Sequence, residues 1–364
     1  MFSGNDRRTV VKHPGGFYFR EVRKGEFFAS IIDFLTRFIQ DIYTFAEHLL
    51  TPTNIFLSMS IPTTRSKAPA VVSINSDQCN GCGTCVSVCK DFGLEISDNK
   101  ARVTDNSILG CVGCGHCMMA CPTGVIAVEG RTLAPVQLFD LPPVENSASY
   151  EQLLALLQRR RSIREFQDKN VDTETINRIL EAAQTAPAGI PPSDVHVLVL
   201  ENKKQVRLFA EDFSSYLSSI RWIASNWFLK LMRPFVSKPN YEMMHDFAKP
   251  VFDIYVDEMA KGKNWINYDA PLAMYFYGSP YSDPADPIIA ATYAMIAGES
   301  LGLGTCMLGA MHPFIQNGKK ARQFRERWGI KYPSREGLVV IFGYSAVKYK
   351  QGVKRSFADV KRVK

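Results

Sequence analysis

Across residues 26–50 apolar side chains return every three or four positions, at Phe28, Ile31, Ile32, Leu35, Phe38, Ile39, Ile42, Phe45 and Leu49. That spacing predicts a helix with one apolar face. Asp33 and Arg37 form an i,i+4 pair on the opposite face. Such a helix docks on a membrane or partner, or packs on the protein's own body or across a dimer. Its polar face is not basic, as a lipid-binding face usually is, so membrane contact is not expected. YEQLLALLQRR, from Tyr150, predicts a second helix, and Asp172 is placed to cap a third that carries Ile176, Ile179, Leu180 and Ala183 on one face and stops near Ala186-Pro187. Val195–Leu200 (VHVLVL) predicts a buried strand. Residues 211–265 are helical in pattern and rich in large aromatics, among them Trp222, Trp227, Phe228 and Trp265, with Tyr268 just beyond.

No run of eighteen apolar residues predicts a membrane-spanning helix. The first residues lack the apolar core and cleavage site of a signal peptide, so a cytoplasmic protein is expected. The 364 residues divide into an N-terminal extension (1–70), a cysteine-rich module (71–130), a Pro-containing linker (131–150) and a larger domain (151–364).

Eight of nine cysteines fall in two quartets, at 79, 82, 85, 89 and at 111, 114, 117, 121. Both read C-x-x-C-x-x-C-x-x-x-C, and the frames NGCGTCVSVC and VGCGHCMMAC repeat after 32 residues. Tight spacing in a cytosolic chain argues against disulfides, and eight thiols overshoot the four ligands of a zinc site. Three thiolates on one tight loop hold one 4Fe–4S cluster, and the fourth of each run reaches across to the other. Cys79, Cys82, Cys85 and Cys121 are therefore assigned to one cluster, and Cys111, Cys114, Cys117 and Cys89 to the second. The module resembles bacterial two-cluster ferredoxins, with one departure: Lys90 follows Cys89 where proline is usual.

Charge is uneven. Residues 71–130 carry six acids against three bases, a net −3 in a chain of +7, so the remainder carries +10. The basic residues form no aromatic-interleaved patch, so nucleic-acid binding is not expected; a basic body also suits an anionic cofactor or partner. The candidate is the segment Arg159, Arg160, Arg161, Ser162, Ile163, Arg164. Guanidinium forks and a hydroxyl at a helix end can hold a phosphate, although a solvated charge run has the same composition.

Taken with EAAQTAPAGIPPSDVHVLVL and AGESLGLGTCMLGAM, this segment resembles the FMN-dependent nitroreductase family over residues 151–364. The resemblance implies an α+β fold, an antiparallel-rich sheet flanked by helices, in a homodimer with FMN at the interface. It implies phosphate contacts from Arg160, Arg161, Ser162 and Arg164, with Arg355 and Lys354 as a second contact. Pro187, Ala188, Gly189 and Ile190 would line the isoalloxazine ring. Here Ala188, Pro191 and Ser193 replace the serine, asparagine and glutamine commonest in the family, leaving loop backbone, Ser193 or Asp194 for the flavin's polar edge. Leu308, Gly309 and Ala310 would present backbone amides near flavin N5 and O4. Residues 211–265 correspond to a lid over the flavin, unless the aromatics serve only core and dimer surface. Cys306 is expected to be a buried structural thiol with no cation beside it in sequence.

The two resemblances together imply an oxidoreductase in which an external low-potential donor, such as ferredoxin, feeds two 4Fe–4S clusters. The clusters feed FMN, which reduces a nitroaromatic, quinone or activated alkene. The reverse electron flow and a subunit of a larger redox complex are the alternatives. No GxGxxG dinucleotide fingerprint occurs.

Overall fold

The structure, a computed structural model, describes residues 70–108, 110–130, 135–189, 194–280 and 282–363. The helix expected over 26–50 lies outside these residues, as do Ile190, Pro191 and Ser193.

In the cysteine module, β1 (Val71–Ile74) pairs antiparallel with β4 (Ile126–Glu129). Between them come α1 (Thr84–Val88), the hairpin of β2 (Leu94–Ser97) and β3 (Lys100–Val103), and α2 (His116–Met119). Asp98 and Asn99 close that hairpin with φ of 51° and 56°, the left-handed pair of a two-residue turn matched to strand twist. The sequence repeat reappears as backbone geometry: Gly83 and Gly115 precede α1 and α2 at φ 75° and 74°. Leu94, Ala101, Val125, Ile126 and Val128 form a small core that includes Cys79, Cys85 and Cys117.

The larger domain begins with α3 (Tyr150–Arg159), whose Ser149 and Gln152 form a reciprocal capping box. Asp172 caps α4 (Thr173–Gln184) by accepting from Thr175 N at 2.8 Å. β5 (Val195–Leu200) leads into α5 (Lys203–Ile220), a single turn at Arg221–Ala224, α6 (Asn226–Met232), α7 (Lys238–Glu242), a π-helical turn at Met243–Ala248 and α8 (Lys249–Ala260). Then follow β6 (Leu272–Gly278), α9 (Asp286–Ser300), β7 (Gly304–Leu308), α10 (His312–Gln316), α11 (Lys319–Arg327) and β8 (Gly337–Gly343).

The four strands form one antiparallel sheet in the order β5-β6-β8-β7. The period of two along β6 sends Met274 and Phe276 to one face and Tyr275 and Tyr277 to the other. The first pair packs with Ile179 of α4 and Ala291 and Ala294 of α9. The second packs with Phe209 and Phe213 of α5, Phe252 of α8 and Phe324 of α11. β5 departs from expectation: only Leu200 is buried, because the strand is an edge with a neighbour on one side. Among the aromatics of 211–265, Phe228 is buried, whereas Trp227 and Trp265 are 55% and 49% exposed. Among the described residues no helix is long and apolar enough to cross a membrane.

Candidate functional site

The eight thiols gather in two groups. Cys79, Cys82, Cys85 and Cys121 line one concavity. Cys117 sits in the other: burial, with the neighbouring Cys111, Cys114 and Cys89, pushes its thiol up to about 11. The fourth cysteine of each run thus lies beside the first three of the other run. The Cys79 sulfur accepts backbone N–H from Gly81 (3.5 Å) and Ala101 (3.4 Å), donors that suit a thiolate. The Thr84 hydroxyl holds the exposed Cys82 below the usual thiol value. Gly81, at φ 68°, lies so close to the Asn99 carbonyl that no side chain fits. Lys90 has a local use: its Nζ donates to the Ser87 carbonyl at 2.7 Å, satisfying the end of α1. No three His, Cys, Asp or Glu among the described residues converge on a point for a single ion; a cuboidal cluster instead needs thiolates spread over its corners.

The arginine segment runs alongside the edge strand β7 and then along the chain just beyond β8. Ser162 bridges Thr305 of β7, and Ile163 N donates to the Thr305 carbonyl at 2.9 Å. Further on, Gln167 N donates to Tyr344 O (2.8 Å) and Ala346 N to Glu165 O (2.9 Å), just beyond β8. Arg161 is partly committed, since its Nη1 donates to the Gln158 and Arg160 carbonyls at the end of α3. The other side of its guanidinium lies against Gly352, where a Cβ would collide with it. Arg160 differs: its Nη1 is buried and has no hydrogen-bond partner among the described residues. An uncompensated buried donor is costly, and a phosphate oxygen would satisfy it. Arg164 is exposed, and so is Arg355, on the tail beyond Gly352.

Two carboxylates not foreseen in the sequence tie this region to the ends of α9. Asp286, in its first turn, is buried and accepts from Gly189 N at 2.9 Å, fastening the Ala-Pro loop. Burial pushes its carboxyl up. Near the other end, Glu299 accepts from Thr305 Oγ1 at 3.1 Å; burial raises it, while the Thr305 hydroxyl and the Arg160 charge pull it down. Asp286 and Glu299 are roughly 20 Å apart at 1.5 Å per residue. After α9 the chain reverses through Gly302 (φ 81°), and β7 runs back along the helix to Leu308. Cations therefore cluster at one end, and the loops at 187–189 and 308–310 lie toward the other.

A model of the nitroreductase family matches residues 157–344, just over half of the chain. The chain belongs to the nitroreductase family. A 4Fe-4S dicluster domain model matches residues 78–126 of this chain. A ferredoxin of Thermococcus litoralis is 39% identical over 59 residues, 16% of this chain and 97% of the relative. A Methanothermobacter thermautotrophicus protein named as an NADH dehydrogenase/NAD(P)H nitroreductase is 31% identical over 68 residues, 19% of this chain. The chain spans only 36% of that relative and 37% of a like-named Archaeoglobus fulgidus protein. Among solved structures, a Bacteroides fragilis nitroreductase with bound FMN is 18% identical with a TM-score of 0.41, covering 58% of this chain and 99% of the other.

No cation lies beside Cys306 in sequence. The thiol is buried, as expected, but folding brings Arg164, Ser162 and Arg160 beside it. Burial raises its pKa and outweighs the lowering by these neighbours.

Proposed function

We propose that this nitroreductase-family chain is an FMN- and iron–sulfur-dependent oxidoreductase. Low-potential electrons enter through the eight-thiol module from an external donor such as ferredoxin and leave at the larger domain to a small organic acceptor: a nitroaromatic, quinone or activated alkene. The unpartnered, buried Nη1 of Arg160 carries the reading. It lies at the cationic end of an elongated site whose other end is built from loops, the form required by a ligand with a phosphate at one end and a planar ring at the other.

Arg160, Ser162 and Arg164 would hold the phosphate, with Arg161 contributing its second nitrogen. Arg355, which follows the Gly352 approach to Arg161, would complete the set. Pro187, Ala188 and Gly189, fastened by Asp286, would back the ring, and the 308–310 backbone would present N–H donors where negative charge develops on reduction. Cys79, Cys82, Cys85 and Cys121 would hold one 4Fe–4S cluster, and Cys111, Cys114, Cys117 and Cys89 the second. Bound in these sites, FMN supplies two-electron reduction and the clusters single-electron transfer; no side-chain nucleophile is required. Val353, Phe357 and Val363 on the tail are more than 80% exposed, which supports pairing with a second copy as a homodimer.

Anaerobic purification with iron, sulfide and flavin assays tests the reading. It predicts about eight irons and one FMN per chain and turnover of a nitroaromatic or quinone with reduced ferredoxin as donor. Clusters without flavin would leave an electron carrier instead.

A further inference from the structure

Residues 262–269, between α8 and β6, form a loop held from within by buried amides. Asn264 Oδ1 accepts from Ile266 N (3.1 Å) and Asn267 N (3.2 Å), and its Nδ2 donates to Asn267 Oδ1 (2.6 Å) and Asp269 Oδ1 (2.7 Å). Asn267 Nδ2 donates to the Val206 carbonyl at 2.6 Å, and Arg207 Nη1 grips Asp269 Oδ2 at 2.8 Å. This bonding imposes left-handed backbone on two consecutive residues, Tyr268 (φ 55°) and Asp269 (φ 49°). Aspartate tolerates that region; a bulky tyrosine there is an outlier that persists only where its surroundings dictate it.

The imposed conformation has a visible product. The Tyr268 ring lies beneath the guanidinium of Arg164, 5.7 Å from its central carbon, within the range of a cation–π contact. Trp265 braces the ring edge-on at 6.2 Å. Among the described residues no carboxylate ion-pairs with Arg164. A ring face therefore steadies this cation without neutralising it and without occupying its N–H donors. A carboxylate in the same place would do both and would compete with an incoming anion.

We infer that Tyr268 is a positioning residue for flavin binding. It holds Arg164 oriented with its donors free for the ligand, and the strain in the 262–269 loop maintains that arrangement. The inference rests on the FMN reading above.

The test is FMN affinity, measured by flavin fluorescence on the full chain stripped of flavin, with thermal unfolding of the same samples as the folding control. Four variants form the set: Tyr268→Phe, Tyr268→Asn (which tolerates the left-handed backbone), Arg164→Gln and the Arg164→Gln/Tyr268→Asn double. Tyr268→Phe keeps the ring and should bind within twofold of the wild type. Tyr268→Asn should bind about fivefold more weakly, the loss of an exposed cation–π contact at tenfold per 1.4 kcal/mol. In the Arg164→Gln background Tyr268→Asn should cost nothing further, because the ring acts through Arg164. A wild type that takes up no FMN would overturn the flavin reading and the inference with it. If the wild type binds, undiminished affinity in Tyr268→Asn, or an equal loss with and without Arg164, would overturn the inference alone.

Discussion

Arg160 presents a buried nitrogen with nothing to donate to among the described residues, while Arg161, its neighbour, uses one nitrogen to finish α3. Adjacent arginines of one basic run thus have different tasks, and composition alone could not separate them. A hydrogen bond between charged groups contributes about 1.5–3 kcal/mol. Arg160→Ala should therefore weaken FMN binding by roughly 10- to 100-fold in a fluorescence titration. His312 offers a pH test. Its Nδ1 meets the Tyr275 hydroxyl at 2.8 Å, and burial holds it below its ordinary 6.5. The unfolded chain then takes up a proton that the folded chain resists, so this contribution is complete above about pH 6.5 and is lost as pH falls below it. Thermal midpoints recorded from pH 8 to about pH 5 should decline on the acid side, and His312→Gln should flatten that decline.

At the scale of elements, the cysteine repeat and the Asp172 cap were legible because each depends on residues a few positions apart. Glu299, Asp286 and Tyr268 were not. Glu299 joins the arginine segment only after β7 returns along α9 and Thr305 meets Ser162, and Tyr268 owes its backbone to the Asn264–Asn267 network and Val206. The edge position of β5 is likewise a property of strand order, which a local apolar run does not carry. The loop before α1 gives an element-scale prediction. Gly81 and Gly83 both have positive φ, but a Cβ meets the Asn99 carbonyl at Gly81 and open space at Gly83. Gly83→Ala should cost about 1–2 kcal/mol of backbone strain and retain iron. Gly81→Ala should displace the hairpin turn and lose iron from the Cys79 group, read as a lower iron-to-protein ratio.

At the scale of the whole molecule, an acidic eight-thiol module is joined to a basic nitroreductase domain with no dinucleotide fingerprint. That combination underlies the central claim that reducing electrons arrive through the thiol module. Anaerobic stopped-flow mixing with reduced ferredoxin, comparing the wild type with Cys114→Ser and following flavin absorbance, tests the claim most directly. Rapid flavin bleaching in the wild type, slowed at least tenfold in Cys114→Ser although flavin content is unchanged, is the predicted result (a barrier difference of about 1.4 kcal/mol or more). Equal rates in the two proteins, or equally fast bleaching by NADH, would contradict it.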